Sequence, residues 1–264
     1  MPYETLLFEK SGHKAVITLN RPQALNSFNR AMMRELLDVW TDVKNDNDIW
    51  ATILTAAGDK AFCTGVDVRE STEESSRMSQ FERWKEIPGS RITARQNNCW
   101  KPVITAINGM CAGGGLYFPG DSDITICTEN ATFFDPHVTY GRVTAVEPVM
   151  LTRRIPFGEV MRMSLMGSAW RMNAQRAHQI GLVQEVVPLA KLMQTAHEMA
   201  DVLCELPPLT LAGTVEAIWK GLEMDRQAAM DYGLLVAQRN SFTEDHGEGR
   251  RAFAEKRKPH YKNR

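Results

Sequence analysis

The chain has 264 residues, 43% of them hydrophobic and 24% charged, with 31 basic side chains against 32 acidic ones. That is the make-up of a globular protein with one sizeable domain plus an appendage, and a net charge near zero gives no general basic field for holding nucleic acid. No apolar run approaches the ~20 residues of a spanning helix, and the N-terminus "MPYETLLFEKSGHKAVITLN" lacks the basic-then-apolar pattern of an export signal, so neither a membrane span nor secretion is expected.

The five cysteines, Cys63, Cys99, Cys111, Cys127 and Cys204, are odd in number and show no CxxC spacing. They fit buried reduced thiols in a cytoplasmic protein better than disulfides or a metal site. In chain order, "TLLFEK" and "KAVITLN" read as an opening hairpin around "SGH". A helical stripe then runs through Phe28, Met32, Leu36, Val39, Trp40 and Val43, with Ser27 as its N-cap. "WATILTA" is a strand, "GDKAFCTGVDV" a turn and loop, and "RESTEESSRMSQ" a polar surface segment. A second helix is expected from about Phe81 to Asn98. "KPVITAI", "DITICTE" and "ATFF" supply further strands, "LVQEVVP" a late one, and the chain is otherwise helical after Ala145. Strands alternating with helices predict an α/β fold with a parallel element. Past Pro207 and Pro208 only helical patterns remain, which divides the chain into a core, 1–205, and a helical C-terminal region, 206–264.

The segment "NGMCAGGG" follows a strand and opens a short helix. Successive glycine N–H groups at a helix start suit a phosphate or an oxyanion, although a tight turn where two backbones cross explains the glycines equally well. The Walker lysine and serine are missing and the spacing is not GxGxxG, so no nucleotide fingerprint applies.

Four segments in order, "NRPQALNSF", "KAFCTGVDV", "VITAINGMCAGGG" and "RMNAQRAHQIGLVQEVVP", resemble the crotonase superfamily, the enoyl-CoA hydratase/isomerase family, across nearly the whole chain. The resemblance implies a spiral of ββα turns with a C-terminal helical region that builds a homotrimer or a dimer of trimers. It also implies an acyl-CoA substrate, with CoA bound as part of that substrate and no separate cofactor. Two backbone N–H groups, of Val66 and Gly114, would form an oxyanion hole for the thioester carbonyl. Ala24, Leu25, Cys63 and Gly65 would line the CoA nucleotide, and a lysine or arginine of the tail "EKRKPHYKNR" would meet its phosphates in a neighbouring subunit.

Two positions depart from the family. Hydratases carry one glutamate two residues past the triple glycine and a second after the proline of an "FxxPE" segment. Here these are Tyr117 and His137, while Asp123 and Gly141 keep the register. A third position, an aspartate in some members, is Ala145, with Glu147 just beyond it. Because the two glutamates place water and exchange its proton, ordinary hydration loses its catalysts. His137 reads either as a structural imidazole or as a general base. Tyr117 reads as a packing ring, Asp121 as a hydrogen-bonding or capping group, Glu147 as a helix-start residue or the nearest spare carboxylate, and Pro119 as a distortion of the short helix. Three functions follow: an acyl-CoA enzyme of altered chemistry (hydrolysis, C–C cleavage or isomerisation), a weakly active hydratase or isomerase, or a catalytically silent CoA-binding subunit.

Overall fold

The computed structural model describes residues 3–69 and 91–264. Strands β1 (Leu6–Ser11) and β2 (Lys14–Leu19) pair antiparallel from Leu6↔Leu19 to Ser11↔Lys14. Their turn closes on Gly12 at φ +57°, a conformation that only glycine adopts freely. Helix α1 (Arg30–Asn45) buries the stripe Met32, Leu36, Val39, Trp40 and Val43. Its N-cap is Asn29, whose side chain accepts from the Met32 N–H at 3.0 Å, and not Ser27 as the sequence suggested. Ser27 is buried in the preceding loop, where its carbonyl accepts from the Arg21 guanidinium at 2.6 Å.

The next six strands come in consecutive pairs: β3 (Ala51–Ala56) with β4 (Ala61–Cys63), β5 (Val103–Ile107) with β6 (Met110–Ala112), and β7 (Ile124–Thr128) with β8 (Thr132–Phe134). Helix α2 (Tyr117–Asp121) separates the second pair from the third. The first strand of each pair adds parallel to a six-stranded sheet, β1-β2-β3-β5-β7 followed by the later strand Glu185–Val187, and the second enters a four-stranded sheet, β4-β6-β8 followed by Met172–Asn173. Each pass of the chain therefore stacks on the one before, which produces a spiral. After it come α3 (Val146–Leu151), α4 (Phe157–Met166), β9 (Met172–Asn173), α5 (Ala174–Gln179), β10 (Glu185–Val187) and α6 (Leu189–Cys204). The chain ends in α7 (Pro208–Gly221), α8 (Arg226–Asn240) and α9 (Glu244–Glu255).

Helix α6 covers the outer face of the larger sheet, packing Leu192, Ala196 and Ala200 on Ile53, Ile104, Ala106 and Ile126. The inner core runs between the sheets and α1. Of the helix expected over 81–98, only the end from 91 is described. It holds a short 3-10 turn, Arg95–Asn97, while the rest, and the polar segment beyond Arg69, lie outside the described residues. Four cysteines are buried, Cys204 is half-buried, and all five are free thiols. Among the described residues no helix is long and apolar enough to cross a membrane.

Candidate active site

Phe28 does not enter α1, because its backbone is taken by the loop after β4. Its N–H donates to the Gly65 carbonyl at 2.8 Å and its carbonyl accepts from the Asp67 N–H at 3.0 Å. This single bridge fixes Val66, which stands between the two bonded residues with its side chain partly exposed. Gly65, at φ +87°, is pressed on the glycine triplet: a Cβ there would lie 2.7 Å from the Gly114 nitrogen. A Cβ on Gly114 would strike Phe28 Cζ at 2.6 Å, and one on Gly115 would occupy the place of the Cys63 carbonyl. The triplet is thus a crossing of two backbones, with Gly65, the residue before Val66, set directly against Gly114. Residues Gly113–Leu116 form a 3-10 turn that runs straight into α2. Pro119, expected to distort this segment, is the third residue of α2 and is accommodated within it.

His137 lies beside the triplet; a Cβ on Gly113 would be 3.6 Å from its Cε1. Asp135, only 1% exposed, folds back over Pro136 and accepts twice from His137, from the backbone N–H at 3.0 Å and from ring Nδ1 at 2.6 Å. The Thr144 hydroxyl donates to its other oxygen. The hydrogen bond to Asp135 raises the His137 pKa above its ordinary value, outweighing the opposing effect of burial. Burial acts to raise the Asp135 pKa, but the hydrogen bonds from His137 and Thr144 hold it below the usual carboxylate value. Glu147, in the first turn of α3 and 4% exposed, faces the same cluster. Burial first, and then the negative charge of Glu147 and the hydrogen bond to it, push the Tyr117 phenol pKa far up, so the phenol stays protonated. The ligating atoms of Asp135, His137 and Glu147 all lie within 4.8 Å of one another. That trio has the donor types for a divalent cation, but its Asp135–His137 edge is already closed by a hydrogen bond.

Residues 9–264 match the family model described as enoyl-CoA hydratase/isomerase. The chain belongs to this family. It is 35% identical to a short-chain-enoyl-CoA hydratase of Clostridium acetobutylicum, over 98% of this chain and 97% of that one. With an (E)-benzylidenesuccinyl-CoA hydratase of Thauera aromatica it shares 33% identity, over 96% and 97%. The crystal structure of an enoyl-CoA hydratase/isomerase from Mycobacterium paratuberculosis superposes with a TM-score of 0.90 at 40% identity over the whole of both chains. The spiral is therefore the crotonase fold.

Within this family frame, the loop expected to meet CoA is preformed. Ala24 ends a 3-10 turn begun at Pro22, and Leu25 and Asn26 both take positive φ, 51° and 53°. The Asn26 side chain donates to the carbonyls of Ala57 and Ala61, which pins this loop beside Cys63 and Gly65. The Cys63 thiol is sealed in the core, and burial pushes its pKa up to about 12, so only its backbone is available to a ligand. In the tail, Arg257 pairs with Glu248, Lys258 with Glu205 and Arg264 with Glu244. Ala145 is exposed and outside the cluster. Asp121 accepts from the Thr93 hydroxyl at 2.5 Å, away from His137. Two contributors escaped the sequence reading, Asp135 and Thr144. The signal for the first was the "DPH" spacing, an aspartate two residues before the histidine.

Proposed function

We propose that this chain turns over an acyl-CoA thioester by proton transfer through His137, in hydrolysis, C–C cleavage or isomerisation and not in efficient hydration. The observation that carries the reading is the 2.6 Å contact of Asp135 Oδ1 with His137 Nδ1 beside the glycine triplet. A carboxylate on Nδ1 holds the proton there and leaves the Nε2 lone pair as the base, and it then stabilises the imidazolium that forms. The N–H groups of Val66 and Gly114 receive the enolate-like charge of the thioester oxygen, a donor of that kind contributing about 3 kcal/mol. Tyr117, kept protonated against Glu147, stands where a hydratase has its first glutamate and offers a fixed O–H dipole in place of a titrating carboxylate. Free buried thiols fit a reducing cytoplasm.

A panel of enoyl-CoA and 3-oxoacyl-CoA esters tests this. Crotonyl-CoA hydration should be at least ~10²-fold slower than in a two-glutamate member. Where the panel finds turnover, His137→Ala should reduce it by ~10² or more while thioester binding is nearly intact. Brisk hydration by the unmodified protein, or turnover indifferent to His137→Ala, refutes the reading. Glu147 supports a second one, since a buried carboxylate in the same cluster can place water and sustain slow hydration. In that case Glu147→Gln abolishes hydration and His137→Ala spares it. Thioester affinity with no product from any ester identifies a silent binding subunit.

A further inference from the structure

A cavity of about 300 Å³ opens where α2, α3 and α7 meet the segment after Arg95–Asn97. It is lined by Arg95, Trp100, Arg153, Trp219 and Lys220 over an apolar patch that includes Val149 and Met150. The Arg95 guanidinium is committed, pairing with Asp123 and donating to the Cys99 carbonyl. It holds the two indoles in place from within, 5.6 Å from the Trp100 ring centre and 5.7 Å from that of Trp219. The other two cations are not used up. Arg153 gives one of its five N–H groups to the Leu222 carbonyl, and the Lys220 ammonium, 3.6 Å from Glu216, lies 5.6 Å from the Trp100 ring centre and 5.4 Å from that of Tyr232. Among the described residues nothing accepts from the Trp100 indole N–H.

Two carboxylates of the lining oppose these donors, besides Asp123 and Glu216, already paired with Arg95 and Lys220. Asp121 is already engaged by Thr93, and burial lifts its pKa to about 6, while Glu223 stands at the end of the α7 side of the lining. Spare cationic donors beside flat indole faces recognise one class of molecule, a small anion with a planar apolar body. The volume is at the small end of ligand pockets. We propose that this cavity binds a small aromatic carboxylate, its ring against Trp100 and Trp219 and its carboxylate on Arg153 and Lys220.

The cavity is one helical turn from the thioester cluster. Gly120 and Asp121 follow Tyr117 on α2, and Val149 and Met150 follow Glu147 on α3. A carboxylate there is either a free acid or the charged end of an acyl chain. Titration of benzoate into the full-length protein, followed by the indole N–H resonances of its six tryptophans, tests the site. Two resonances, assigned through Trp100→Phe and Trp219→Phe, should move, and benzamide should bind at least ~10-fold more weakly for want of charge. Arg153→Gln and Lys220→Met, both outside the thioester cluster, should each weaken benzoate about 10-fold. Displacement of benzoate by a dicarboxylyl-CoA but not by butyryl-CoA assigns the site to the acyl end; displacement by neither assigns it to a free acid. Absence of any shift at tens of millimolar benzoate, equal binding of benzamide, or variants that bind as the parent does, each overturns the proposal.

Discussion

At the scale of single residues the proposed chemistry rests on one hydrogen bond, that between His137 Nδ1 and Asp135. Because Asp135 raises the His137 pKa, the imidazole stays charged to a higher pH than a free histidine, near 6.5, and its base form appears only above that raised value. Turnover should therefore climb with pH along a limb set by His137. Asp135→Asn removes the cause of the shift, so the limb should move to lower pH while turnover falls at least ~10-fold, because the ring loses its orientation. A pH profile of kcat/KM checks both, and an unmoved limb would show that the dyad does not control the base. Stability follows the same linkage. The raised His137 pKa contributes stability that is fully present below its unfolded value and lost as pH rises through the folded one. The lowered Asp135 pKa contributes above its unfolded value and is lost as pH falls through the folded one. The urea midpoints of parent and Asp135→Asn should thus differ most near pH 5 to 6, between the two unfolded values, and the difference should shrink as pH rises through the folded His137 value, while the part owed to Asp135 remains. The histidine itself was legible in the sequence. Its orientation was not, because that depends on a side chain folding back over Pro136, which no periodicity records.

At the scale of elements, the loop after β4 and the glycine triplet act as one part. Gly65→Ala puts a methyl against the Gly114 nitrogen at a positive φ, where backbone and not a mobile side chain must give way. The cost should be about 2 kcal/mol or more, read as a melting point several degrees lower, with thioester binding weakened at the same time. An unchanged melting point would mean that the two backbones do not cross as described. The buried face of α1 and the alternation of β2 were readable because half-burial imposes a period on the sequence, β3 and β5 because strands buried on both faces are short, bounded apolar runs, and each expected strand appears within a few residues. The start of α1 was misread for a physical reason. Ser27 has the chemistry of a cap, but the long-range bridge from Phe28 to Val66 holds the chain extended for two further residues and passes the role to Asn29. The same bridge positions the Val66 N–H, so a local error in the sequence reading marks the spot where a tertiary contact builds the candidate oxyanion site.

At the scale of the whole molecule, some of the apolar side chains left in solvent fall into stripes. Phe157, Met161 and Leu165 recur every four residues along α4, and Met230 and Leu234, with Leu235, do the same on α8. Phe157 and Leu165 are 69% and 68% exposed, and Leu234 is 69% exposed, values at which a stripe of large side chains destabilises a solitary chain and favours burial against another surface. The acidic and basic side chains nearly cancel, so little net repulsion opposes such association. Self-association into a closed ring satisfies every copy at once, as a symmetric trimer or a pair of trimers does. Light scattering should then give three or six times the 29.8 kDa of one chain at micromolar concentration. Leu165→Glu and Leu234→Glu place a charge in the middle of each stripe and should shift the mass toward one chain, whereas Glu198→Gln on the exposed side of α6 should leave it unchanged. A parent protein that scatters as a single chain refutes the association, and a charge variant that stays fully assembled removes its own stripe from the interface.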